Sequence, residues 1–176
     1  DIEELARRLE EAVKDSLRRV EEKLRRLEDE SRRSVEDSDR KLKELIDRVR
    51  KVLKDLGESK EAKDVLREVR RLVEENRKHS EDVSRDNKRL VDEVRRHSEE
   101  LLKEVKRLVD EVRRLDKDEV VRRVARRIEE LLKENDDLVR RVAEEIKRTL
   151  KENNEHSDDL RRRIEELIKE ITERRR

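Results

Sequence analysis

Apolar residues recur every three or four positions along almost the whole chain. The first run is Ile2, Leu5, Leu9, Ala12/Val13, Leu17, Val20, Leu24 and Leu27, then Leu42, Leu45, Val49, Val52 and Leu56. Ser16, Ser31, Ser34 and Ser38 fill the gaps, so one stripe runs from Ile2 to Leu56 in steps averaging about 3.6 residues. That period predicts an α-helix, straight rather than strongly supercoiled. The pattern repeats from Ala62 to Leu115 and from Val120 to Ile171. Three helices are predicted, at about residues 2–56, 60–115 and 117–174, each roughly 80 Å long.

The ends of these runs carry capping chemistry. Asp1 followed by Glu4 reads as a capping box, and so does Asp116 followed by Glu119, with Leu115 and Val120 placed to staple it. Gly57 supplies a residue able to take the left-handed conformation that ends a helix, and Ser59 an N-cap for the next. Arg174, Arg175 and Arg176 suit a helix C-terminus. Short connections make neighbouring helices antiparallel, so the predicted fold is all-α, an up-down-up bundle forming a single domain over 1–176.

Polar residues inside the stripes repeat at a spacing of 18 residues. Ser16 returns as Ser34, His79-Ser80 as His97-Ser98, and Asn135 as Asn153. That interval is about five helical turns, so each pair lies on one face, roughly 27 Å apart. In an antiparallel pair, facing residue numbers have a constant total. Ser16 with His97 and Ser34 with His79 share one total; His97 with Asn135 and His79 with Asn153 share another. Two cross-sections follow: Ser16, His97/Ser98 and Asn135, and Ser34, His79/Ser80 and Asn153. Ser38, Asn76 and His156-Ser157 fit as a third within one residue, and Ser31, Ser84 and Thr149 as a fourth. The 18-residue equivalents of the third are Val20, Val94 and Leu138/Val139; those of the fourth are Val13, Leu102 and Leu131. Asn87 is a misfit, since its level holds Leu27 and Ile146, and it is expected to lean toward Ser31 or Ser84. Buried polar groups are costly unless paired, so these layers predict connected hydrogen bonds that favour one register over its slips.

Composition narrows the function classes. The chain is 59% charged, with Lys+Arg 52 and Asp+Glu 51, and has no Phe, Tyr, Trp, Met, Cys or Pro. The two signs are interleaved, so no face presents the one-sign field that nucleic acid or an acidic membrane would need. No apolar run approaches a membrane span, and no targeting signal is legible, so location stays open. Without Cys there is no thiolate chemistry.

This combination resembles computationally designed helical bundles with buried hydrogen-bond networks: a Lys/Arg/Glu surface, a Leu/Val/Ile/Ala core, Ser/Asn/His layers and capping boxes. Within that class the chain is similar to the three-helix half of designed three-plus-one heterodimers, in which a separate amphipathic helix completes a four-helix bundle. The resemblance implies a de novo association module with no catalysis and no cofactor. Adjacent apolar doublets such as Leu72-Val73, Leu101-Leu102 and Leu131-Leu132 widen the stripes toward a four-helix core. The reading is a subunit that binds one partner helix, its polar layers setting specificity. A self-contained three-helix scaffold and a self-associating bundle stay open beside it.

The three histidines are expected to serve the networks. None has a His or Cys at i±3 or i±4, so none reads as a metal ligand; Glu75–His79 and Glu152–His156 are the nearest carboxylate pairings. Neighbouring Ser and His point about 100° apart on a helix, which rules out a catalytic dyad within the pair. If the imidazoles are buried and neutral, protonation would loosen the bundle or release a partner near about pH 4–5.

Overall fold

A computed structural model of the chain describes residues 1–57 and 59–174. It contains three helices, α1 Ile2–Leu56, α2 Lys60–Leu115 and α3 Asp118–Arg174, and no strand among the described residues. Helix is the expected outcome for a chain without Pro, with one Gly, and rich in Arg, Lys, Glu and Leu. Arg175 and Arg176, expected at the last C-terminus, lie outside the described residues.

The residues group into two compact units. Unit 1 joins Asp1–Asp29 to Lys88–Ile146, and unit 2 joins Glu30–Asn87 to the residues from Lys147 onward. In unit 1 the core is Ala6 and Val13 of α1, Leu101, Val105, Val109 and Val112 of α2, and Val120, Val124, Ile128 and Leu131 of α3. In unit 2 it is Leu42, Leu45 and Val49 with Val69 and Leu72 and with Leu160, Ile164 and Ile168. All three helices pack against one another within each unit.

Within each unit the ion pairs between helices show the chain directions. In unit 1, Arg113 reaches Glu3 at 3.0 Å and Arg95 reaches Glu21 at 3.0 Å and also Glu28, so α2 runs antiparallel to α1. Arg127 lies 3.4 Å from Glu104, and Arg123 pairs with Glu111, so α3 runs antiparallel to α2. These pairs rim the core. Being partly solvated, each adds little to stability.

The doublets resolve in a way that periodicity left open. Leu72, Leu101 and Leu131 are buried, while Val73, Leu102 and Leu132 are half-buried and pack against the same clusters. In these three doublets the first residue is buried and the second lies on the flank, whereas in Leu108-Val109 and Leu167-Ile168 the order is reversed. Leu5 is a correction to the predicted stripe, being 41% exposed while Ala6 is fully buried. Positions 5 and 6 both fall in the apolar sector between Ile2 and Leu9, and the smaller side chain takes the inward place.

Two caps form as predicted. The Glu3 N–H donates to Asp1 Oδ1 at 3.2 Å, although Glu4 turns away to pair with Arg8. Gly57 has φ 79°, and Ser59 Oγ accepts from the Ala62 N–H at 3.1 Å. The second turn is a correction. Asp116 is not an N-cap; it ends α2 in the left-handed region, at φ 47°, with its N–H donating to the Val112 carbonyl at 3.1 Å. The Lys117 carbonyl accepts the first bond of α3, and Leu115 is 39% exposed instead of stapling Val120. Asp tolerates this conformation less well than Gly, so Asp116→Gly is expected to stabilise the chain by about 0.5 kcal/mol, the backbone gain being partly offset by unfolded-state entropy. A lowered denaturation midpoint would contradict this account of the turn.

Candidate functional site

The polar positions of the stripes are the candidate site, and the structure joins some of them into networks. In unit 2 the Ser38 level is complete. The Ser157 hydroxyl donates to Asn76 Oδ1 at 2.6 Å, Asn76 Nδ2 donates to Ser38 Oγ at 3.4 Å, and the two serine oxygens lie 2.5 Å apart. With Ser38 donating to Ser157, the three bonds form a closed ring with one member on each helix. Ser38, Asn76 and Ser157 are 6%, 1% and 6% exposed. Asn76 Nδ2 also donates to Asp39 Oδ1 at 3.2 Å. Burial raises the Asp39 carboxyl above its ordinary range, with Lys43 and the Asn76 bond pulling the other way.

Asn87 centres the Ser31 level of unit 2. Its Nδ2 donates to Ser31 Oγ at 3.3 Å, and Thr149 Oγ1 donates to its Oδ1 at 2.9 Å. The lean toward Ser31 is as expected from the sequence, whereas Ser84 is half-buried and takes no part in these bonds.

The Ser34 level of the same unit departs from its predicted membership. Asn153 is fully buried, and its Nδ2 donates to Ser80 Oγ at 3.5 Å, leaving Oδ1 without a partner. Ser34 donates instead to Asn154 Oδ1 at 3.1 Å, on the exposed side. His79 leaves the layer and packs edge-on against His156, with ring centroids 4.8 Å apart. In unit 1, His97 Nδ1 lies 2.9 Å from Asn135 Oδ1, which can only accept, so Nδ1 carries the proton. Ser98 donates to the same oxygen at 3.3 Å. Asn135 is fully buried with Nδ2 unpartnered, and Ser16, 9% exposed, makes no side-chain hydrogen bond among the described residues.

Of the three histidines, His97 bonds within its predicted layer, whereas His79 and His156 turn out of theirs toward each other. All three are half-buried, with the His156 side chain 35% exposed. The cause is angular. Adjacent positions diverge by about 100°, and in His79-Ser80 and His156-Ser157 the small serine takes the axis while the imidazole is turned to the flank.

Spacing also missed two participants, Asn154 and Asp39, and it set Glu75 beside His79, whereas Glu75 Oε1 lies 3.9 Å from His156 Nε2. The available signal was adjacency, since Asn154 follows Asn153 and Asp39 follows Ser38. Two grooves flank the layer of unit 1. One, of about 330 Å³, is lined by Ser16, Arg19, Val20, Lys23, Val139 and Arg140 among others; the second, of about 300 Å³, lies along Leu17, Arg95, Ser98 and Leu102. No helix among the described residues is long and apolar enough to cross a membrane. No protein-family model, no curated protein and no solved structure matches this chain.

Proposed function

We propose that the chain is an engineered structural module, not an enzyme, in which buried layers of Ser, Asn and Thr determine which helices pair and in what register. The observation that carries this reading is the Ser38–Asn76–Ser157 ring. It links all three helices, and sliding any one of them by a turn would leave buried donors and acceptors unmatched. Apolar levels such as Val20, Val94 and Val139 accept such a slip with little penalty, so the polar levels hold the specificity.

A second reading, in which the three helices take up a separate amphipathic helix, is favoured by unit 1. There Asn135 Nδ2 is unpartnered and Ser16 Oγ makes no hydrogen bond among the described residues, and the two grooves run beside their layer. A polar residue on an incoming helix would satisfy such groups, and leucines at its other inward positions would cover Leu17 and Leu102.

The solution mass of the purified chain, measured alone and with amphipathic helices carrying one Asn or Gln at the layer position, separates the readings. A monomer that ignores every added helix supports the self-contained module, and a one-to-one complex supports capture. A chain that is already a dimer or larger by itself would sink both and point to self-association.

A further inference from the structure

We propose that His79 and His156 form a binding site, spanning α2 and α3, for one divalent late transition-metal ion such as Zn2+, with Glu75 as a third ligand and water completing the shell. No pair of histidines is spaced for a metal within one helix. Folding brings two together across unit 2, with centroids 4.8 Å apart and an interplanar angle of 62°. Two imidazoles bound to one tetrahedral zinc at about 2.0–2.1 Å place their ring centroids roughly 5 Å apart, so the observed separation matches that of a shared ion once ring rotation turns one nitrogen of each toward it. Imidazole nitrogen is the donor preferred by Zn2+, Ni2+ and Cu2+, whereas Mg2+ favours a shell of oxygens.

The surroundings fit the same ligand. Glu75 Oε1 stands 3.9 Å from His156 Nε2, against the roughly 3.3 Å between two donors on a tetrahedral ion. Among the described residues no group of three His, Cys, Asp or Glu is already placed to hold a metal ion. A small side-chain rotation of Glu75, which is 45% exposed, closes that difference. His156 is 35% exposed, so an ion can reach the pair without opening the core, and the buried ring of Ser38, Asn76 and Ser157 does not use either imidazole. His97, in unit 1, is an internal control because its Nδ1 is engaged by Asn135.

The chain has no Phe, Tyr or Trp, so the aromatic carbon-bound proton resonances come from the three histidines alone. Titration with Zn2+ at neutral pH, followed by proton NMR, is expected to shift two imidazole sets and leave the His97 set in place, saturating near one ion per chain. His156→Gln should abolish the shift of His79, Glu75→Gln should weaken binding by about tenfold, and Mg2+ should shift neither ring. Circular dichroism of each variant checks that the helices remain. Should the imidazole signals stay put at about 1 mM Zn2+, should all three move together, or should the His79 shift survive in His156→Gln, the proposal is overturned.

Discussion

Ser157→Ala is expected to destabilise the chain by about 1–3 kcal/mol, far more than loss of one exposed hydroxyl would. The substitution takes away the donor to Asn76 Oδ1 and the acceptor for the Ser38 hydroxyl, and both groups stay buried. The companion experiment replaces the whole level. Unit 1 fills the equivalent positions with Val20, Val94 and Val139, which are 6%, 0% and 4% exposed. The triple variant Ser38→Val, Asn76→Val, Ser157→Val is therefore expected to be at least as stable as the parent, because the three ring members go together and the one group left without its bond, the half-buried Asp39 carboxylate, is open to water. Denaturation midpoints followed by far-ultraviolet circular dichroism provide the comparison, since there is no aromatic fluorescence to follow. If the triple variant were weaker than Ser157→Ala alone, the network would be a net source of stability and not a device for register.

Ile164→Ala is expected to produce the largest single loss, about 2–5 kcal/mol. Ile164 is fully buried between Leu42, Leu45, Val69 and Leu72 of unit 2 and their neighbours on α3. Removing three carbons there forfeits transfer energy and opens a cavity that long, continuous helices close poorly. Leu5→Ala, at a 41% exposed position, is the matched control and should change stability by no more than about 0.5 kcal/mol. Equal losses at the two sites would contradict the assignment of the inward face.

Most of the fold could be read from spacing because one physical rule governs it. A stripe at the helical period must face inward, and residues such as Val13, Leu42 and Val94 are buried where the stripe puts them. The second turn was less legible: Asp favours both an N-cap and, less often, the left-handed end of a helix, and Asp116 takes the second role. Levels were legible to about one residue, which is why Ser38, Asn76 and Ser157 meet as expected and Asn87 finds Ser31. Azimuth was not. Number totals locate a residue along the axis but not around it, so His79 was assigned to the Asn153 level when its ring turns aside toward His156. The same blindness hid Asn154 as the partner of Ser34. The doublets were ambiguous for a related reason, since a flanking leucine reads alike whether it covers a three-helix core or waits for a fourth helix.

The brevity of the turn at Gly57 has a consequence for what the layers can do. Glycine there has open space around it and sits at the surface between α1 and α2. While the loop is intact, α1 searches for its place at an effective concentration in the millimolar range, and register errors are corrected within one molecule. Severing the backbone at that glycine would make the same serine and asparagine rungs act between separate polypeptides. Matching would then become recognition, and a rule that sorts positions along one chain would sort strangers in a mixture.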